Sequence, residues 1–193
     1  MNAGKPAMTG EEQPAPTGYK DLLRRYNSAP PDVQWFFLQL PRLLQDFPHE
    51  VTIAYMSAMV EQAKHRTLYC GIVRLHKANS AMARAAVDAS FMERRRFKEL
   101  FHDIFGQPIA PHVLSSLERA ETVRDKVLHG KPTQPPGMRR AIADYLSFAA
   151  QFNDLVLGKA GFRPFGRLTG VAKGNLDKST TRWLLKGMGL PLG

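Results

Sequence analysis

Apolar side chains recur every three or four positions through most of this chain, the spacing that lines one face of an α-helix. The first such stretch, residues 19–26, predicts a short helix ended by Asn27-Ser28-Ala29-Pro30. Pro31 suits the first turn of a next helix. Residues 32–47 then carry Val33, Phe36, Phe37, Leu40, Leu43, Leu44 and Phe47 at helical spacing. Pro41 interrupts this run, so two pieces or a kink are expected, because proline lacks the N–H and crowds the preceding turn. Trp35, Phe36, Phe37 and Phe47 read as core packing. Residues 49–78 predict one long helix, in which Val51, Ala54, Tyr55, Ala58, Met59, Gln62, Leu68, Tyr69, Ile72, Val73 and Leu75 repeat mostly at three and four. Gly71 weakens that helix by about 1 kcal/mol relative to alanine without breaking it.

Asn79-Ser80 supplies a break and an N-cap for a helix over residues 81–105, closed by Gly106, Pro108 and Pro111. Residues 111–129 follow, with Val113, Leu114, Leu117, Ala120, Val123, Val127 and Leu128 mostly three or four apart. A proline-rich turn over 131–137 leads into a helix over about 138–157. Residues 180–188 predict a last helical turn or two, with Trp183 and Leu184 docking on a neighbour; Phe162, Phe165 and Trp183, interleaved with arginines, either stack bases or, the favoured reading, pin the tail to the body. No stretch alternates as a strand would, and no internal repeat stands out. The fold class is therefore all-α, an up-and-down helical bundle with an irregular basic C-terminal tail. Residues 1–18, with Pro6, Pro14 and Pro16, read as a disordered lead-in, 19–158 as the bundle, and 159–193 as a basic, glycine-rich tail, partly docked.

At 193 residues and 44% hydrophobic, the chain is long enough for one well-buried core. No apolar run approaches the roughly 18 residues a membrane span needs. The N-terminus lacks a basic patch leading into an apolar core, so no signal peptide is expected. These features predict a cytoplasmic protein without a membrane partner. Cys70 is the single cysteine, which excludes an internal disulfide and a cysteine-based zinc site. The net charge is +10, and the tail, with seven basic residues against Asp177, supplies six of those charges. Such a surface favours polyanions, nucleic acid first among them.

Candidate chemistry concentrates in Val123-Arg124-Asp125-Lys126-Val127-Leu128-His129-Gly130. Gly130 and Pro132 end the helix there. That places an obligate cation, Arg124, and a titratable imidazole, His129, on its last two turns. Residues five apart on one helix sit about 140° apart and roughly 7.5 Å along the axis, so they make a poor site alone. Two such helices meeting across a twofold axis would bring one of each from both copies. The structural alternative is a histidine favoured by the carbonyl end of its helix, with Arg124 paired to Glu118 or Glu121. Elsewhere His49, His65, His76, His102 and His112 lack metal spacing, no P-loop occurs, and no serine sits in a nucleophile elbow. The run from Glu93 to Glu99 reads as a solvated face with internal ion pairs, or as a track for phosphates.

The arginine, the polar residue after it, the histidine five positions on and the bundle context together resemble the RNA-cleaving signature of the HEPN superfamily. Lys131 stands where a tyrosine marks one toxin branch of that family, so the likeness is to the superfamily and not to that branch. The resemblance implies a homodimer and metal-independent RNA cleavage with no cofactor. His129 would be the general base or acid, Arg124 the phosphate clamp and Asp125 an orienting group. Lys126, Lys131, Arg94 and Arg95 are the candidate nucleic-acid contacts. The alternative is a non-catalytic dimeric module that binds RNA or a protein partner, such as an antitoxin or other regulator. A helical DNA-binding regulator rests on charge alone.

Overall fold

Most helix boundaries in this chain fall at a proline, a left-handed residue or a side-chain cap. The computed structural model describes residues 14–168 and 174–192, and among them it holds nine helices and no strand. α1 (Tyr19–Ser28) stops ahead of Pro30, α2 (Pro31–Phe36) opens on a proline, and α3 (Leu40–Asp46) carries Pro41 in its first turn. The 32–47 segment is thus two pieces, with the proline moved to a position that needs no N–H. α4 (His49–His76) ends on Lys77 in the left-handed conformation, φ 57°. Asn79 caps α5 (Ser80–Asp88), its side-chain oxygen accepting from the Met82 N–H at 3.2 Å. α6 (Arg94–Phe105), α7 (Pro111–Leu128), α8 (Pro135–Ala160) and α9 (Lys178–Gly187) complete the order. Two prolines at its start let α8 begin three residues earlier than its apolar pattern suggests.

The single helix predicted over 81–105 is two. No proline or glycine marks the break. The chain turns at Ala89, and the Ser90 hydroxyl donates back to the Ala86 carbonyl at 2.8 Å. Breaking here lets α5 and α6 both lie against α4, burying Ala83, Ala86 and Val87 on one and Phe97, Leu100, Phe101 and Ile104 on the other.

α4 is the central element, packed by α3, α5, α6, α7 and α8. α7 and α8 form an antiparallel hairpin, and α8 also covers α1 and α2. Because α4 is covered from several sides, its buried set runs through Ile53, Met56, Val60, Ala63, Thr67 and Leu68, and a single stripe is a poor description. Val51 and Leu75, expected on that stripe, are exposed. Phe97, Phe101, Phe148, Phe152 and Phe165 form a continuous aromatic seam with Phe36 and Phe37. Trp35 and Phe47, expected beside them, are 42% and 45% exposed. α2 is only six residues long, so Val33, Phe36 and Phe37 use its one inward face, and Trp35 lies outside beneath the Arg167 guanidinium.

The tail is tied down as its phenylalanines suggest. Phe162 and Phe165 are buried, and Asn153 on α8 exchanges two hydrogen bonds with the Phe165 backbone, at 2.7 and 2.8 Å. Arg66 donates to the Gly166 carbonyl and Arg74 to that of Gly161. α9 docks through Leu176 N–H to the Lys77 carbonyl and Asn79 N–H to the Thr181 hydroxyl, both 3.0 Å. Gly174 makes this approach possible, since a Cβ there would lie 1.5 Å from the Ala78 carbonyl oxygen. Leu184 packs against the core as expected, but Trp183 does not dock; α9 turns it outward. Of the predicted lead-in, residues 1–13 lie outside the described residues. Residues 14–18 run against the bundle, where Arg139 donates to the Pro16 carbonyl and Arg25 to that of Pro14. Among the described residues no helix is long and apolar enough to cross a membrane.

Candidate functional site

The end of α7 is built by its glycine. Gly130 adopts φ +64°, the Lys131 N–H bonds the Lys126 carbonyl at 2.8 Å, and the Gly130 N–H bonds that of Val127 at 3.1 Å. This is the double closure of a helix that ends in a left-handed glycine. It leaves His129 exposed at the terminus, with Lys126, Leu128 and Lys131 also exposed around it.

Arg124 points elsewhere. Its Nη1 donates to Ser57 Oγ on α4 at 3.2 Å, and its Nε lies 2.8 Å from Asp125 Oδ1. The latter is an ion-pair contact out of hydrogen-bond alignment, since the buried Nε has no hydrogen-bond partner. Arg124 and His129 therefore do not converge within one chain, as their spacing on a helix requires. Neither Glu118 nor Glu121 is the partner of Arg124: Glu118 pairs with Lys98, and Glu121 faces inward.

Behind Arg124 lies a largely buried charge network. Lys64, 2% exposed, reaches Glu61 at 2.8 Å and Glu121 at 2.9 Å. Glu121 also takes Arg94 Nε at 2.5 Å, and Arg94 takes Asp125 at 2.6 Å. Three carboxylates, Glu61, Glu121 and Asp125, thus alternate with three cations, Lys64, Arg94 and Arg124, from α4, α6 and α7. Burial works against the Arg94 charge, but Glu121 and Asp125 outweigh it and hold the guanidinium more firmly protonated than usual. Tyr145 from α8 closes the inner side. Burial pushes its phenol up, so it stays protonated, and its buried hydroxyl lies near Ser57 and Arg124 without a hydrogen bond of ordinary geometry. One signal for this network was legible: Lys64 falls four residues from both Val60 and Leu68, on the buried side of α4.

The other candidates separate. Asp125 joins two arginines and is their common anchor. Arg94 is engaged by carboxylates, so a phosphate would have to compete for it. Arg95 is solvent-facing on α6, 3.4 Å from Glu99, and lines a cleft with Phe91 and Gly189. Lys126 and Lys131 alone flank His129. The buried Cys70 thiol is pushed up to about 11 by burial, which leaves it a packing residue rather than a nucleophile. Among the described residues, no three His, Cys, Asp or Glu side chains gather closely enough to hold a metal ion. Compared with protein-family models, curated proteins and solved structures, the chain matches none.

Proposed function

We propose that this protein is a HEPN-like endoribonuclease whose site forms where the α7 ends of two copies meet. The observation that carries the reading is the exposed His129 at the glycine-closed end of α7, with Lys126, Lys131 and an exposed Leu128 around it and Arg124 one turn behind. Leu128 gives that end an apolar contact for a second copy, and the lysines give it charge for RNA. Two copies would supply two imidazoles. One removes the proton from the ribose 2′-hydroxyl, whose oxygen attacks the neighbouring phosphorus. The other donates a proton to the departing 5′-oxygen as the P–O5′ bond breaks. The products are a 2′,3′-cyclic phosphate and a 5′-hydroxyl. Arg124, swung from Asp125 toward the phosphate, would stabilise the charge that builds on its oxygens.

The test is cleavage of a mixed RNA substrate in EDTA by wild type, His129→Ala and Arg124→Ala at matched folding and oligomeric state. Wild type should cleave and leave cyclic phosphate ends, and His129→Ala should lose at least about a hundredfold in rate. Equal activity of wild type and His129→Ala would sink the reading.

One observation favours a second reading, a non-catalytic dimeric module for RNA or a protein partner. Arg124 is held inward by Ser57 and Asp125 and its charge is already balanced. Inactive wild type that still binds RNA or a protein at the α7 end would establish it.

A further inference from the structure

The inner side of α9 is committed to the fold. Thr181 and Leu185 are buried, Leu184 packs at the edge, and the helix lies along α5. Its outer side carries Lys178, Arg182, Trp183 and Lys186, all exposed. No acidic residue occurs from Lys178 to the end of the chain, and Asp177, just ahead, is occupied capping α9 through the Thr180 N–H and hydroxyl. Trp183 is 73% exposed, with the Lys186 ammonium 5.8 Å from its ring centre. Where α9 ends, Phe91, 83% exposed on the α5–α6 connection, lines an open cleft of about 330 Å³ with Glu93, Arg95, Arg96, Glu99, Gly189 and Pro191. Arg96 fixes this junction by donating to the Met188 and Gly189 carbonyls. The two most exposed large hydrophobic residues among those described thus lie along one helix and its end, Trp183 beside the Lys186 ammonium and Phe91 beside arginines that Glu99 pairs.

We propose that the outward face of α9 binds single-stranded RNA. The Trp183 ring stacks on a base, and Lys178, Arg182 and Lys186 follow the phosphates. The partner class rests on the ribonuclease reading; the surface itself is separate. α9 attaches beside Lys77, whereas Arg124 contacts Ser57, and twenty residues of α4 span about 30 Å. The platform would hold a strand at one end of the bundle while the α7 end acts on it. A lipid surface fits less well, because α9 has already buried its apolar side and, with Phe91 at its end, the surface offers two separated bulky apolar groups rather than a continuous apolar face.

The test uses full-length protein carrying Trp35→Phe, so that Trp183 alone reports, and a 2′-O-methyl oligouridylate of roughly 12 nucleotides. Lacking a free 2′-hydroxyl, this probe binds without being cleaved. Binding should quench Trp183 fluorescence. Against labelled probe, Trp183→Ala should weaken affinity about tenfold or more and Trp183→Phe should recover part of it. Removing Arg182 and Lys186 should lower the salt dependence by about 0.7 per charge in log–log slope. Unchanged affinity in Trp183→Ala overturns the proposal, as does a Trp183 response to phosphatidylserine vesicles with none to the oligouridylate. Quenching by the probe in a protein that cleaves no RNA leaves the platform standing and removes the ribonuclease reading. His129-dependent cleavage with a neutral Trp183→Ala does the reverse.

Discussion

Arg124 is turned inward, against Ser57 and Asp125, at the edge of a buried charge arrangement whose partners are fixed by packing. Lys64 is the centre of that arrangement: a buried ammonium with Glu61 and Glu121 for company. Removing one member of a buried pair leaves the other desolvated and unmatched, at a cost of about 3–5 kcal/mol. Lys64→Met should therefore lower stability by roughly 3 kcal/mol in urea denaturation. Lys64→Met with Glu121→Leu should cost clearly less than the two single losses together, because the pair leaves as a unit. Additive losses would show that Lys64 and Glu121 do not act on each other. At this scale, Arg124 and His129 stood out as candidates because few residue types clamp phosphate or shuttle protons near neutral pH. Their neighbours were not legible, since Lys64 meets Glu121 across 57 positions and Arg94 meets Asp125 across 31.

Among the elements, the prolines and caps behaved locally and the packing did not. Gly71 illustrates the difference. By propensity alone, alanine at this position in α4 is worth about 1 kcal/mol more than glycine. In the fold, an added Cβ would lie 2.7 Å from Ile104 Cγ2 and 2.9 Å from Phe105 Cζ on α6. The ring can swing aside, but Ile104 is buried and its branched methyl sits near the backbone. Overpacking of this kind costs about 1–3 kcal/mol, which outweighs the helix gain. Gly71→Ala should thus lower the melting temperature by a few degrees. A rise would mean that α6 moves away from α4 at little cost. The same packing explains the unmarked break at Ser90. It occurs because α5 and α6 each have a face to bury on α4, which no local residue announces.

Across the whole molecule, two properties follow from where groups are buried. Burial raises the Cys70 thiol to about 11 and shifts the phenols of Tyr145, Tyr26 and Tyr55 upward as well. Each is neutral when protonated, and the fold favours that form. The unfolded chain gives up the Cys70 proton near its ordinary value of 9.0, the folded chain only near 11. The stability this thiol contributes is complete below pH 9 and is lost as pH rises toward 11, about 2–3 kcal/mol for Cys70 alone. Urea denaturation at pH 8 and pH 11 should show the fall, and Cys70→Ala should remove part of it. Equal stability at both values in wild type would contradict the burial of these groups. The second property is charge. Pairing neutralises much of α6 and α7, whereas among the described residues no ion pair holds Lys178, Arg182 or Lys186 of α9, so the net +10 is spread unevenly.

Helical class, the positions of most helices, the proline breaks, the cap at Asn79 and the stop at Gly130 were all determined by the sequence alone. Each depends on a residue and its close neighbours, or on a period of three to four that a helix imposes. Tertiary structure alone decided which side of α4 is buried, the division of 81–105 into two helices, the inward turn of Arg124 and the outward turn of Trp183. Those outcomes depend on which surfaces compete for the same partner, and segments far apart in the chain settle that competition only when they pack.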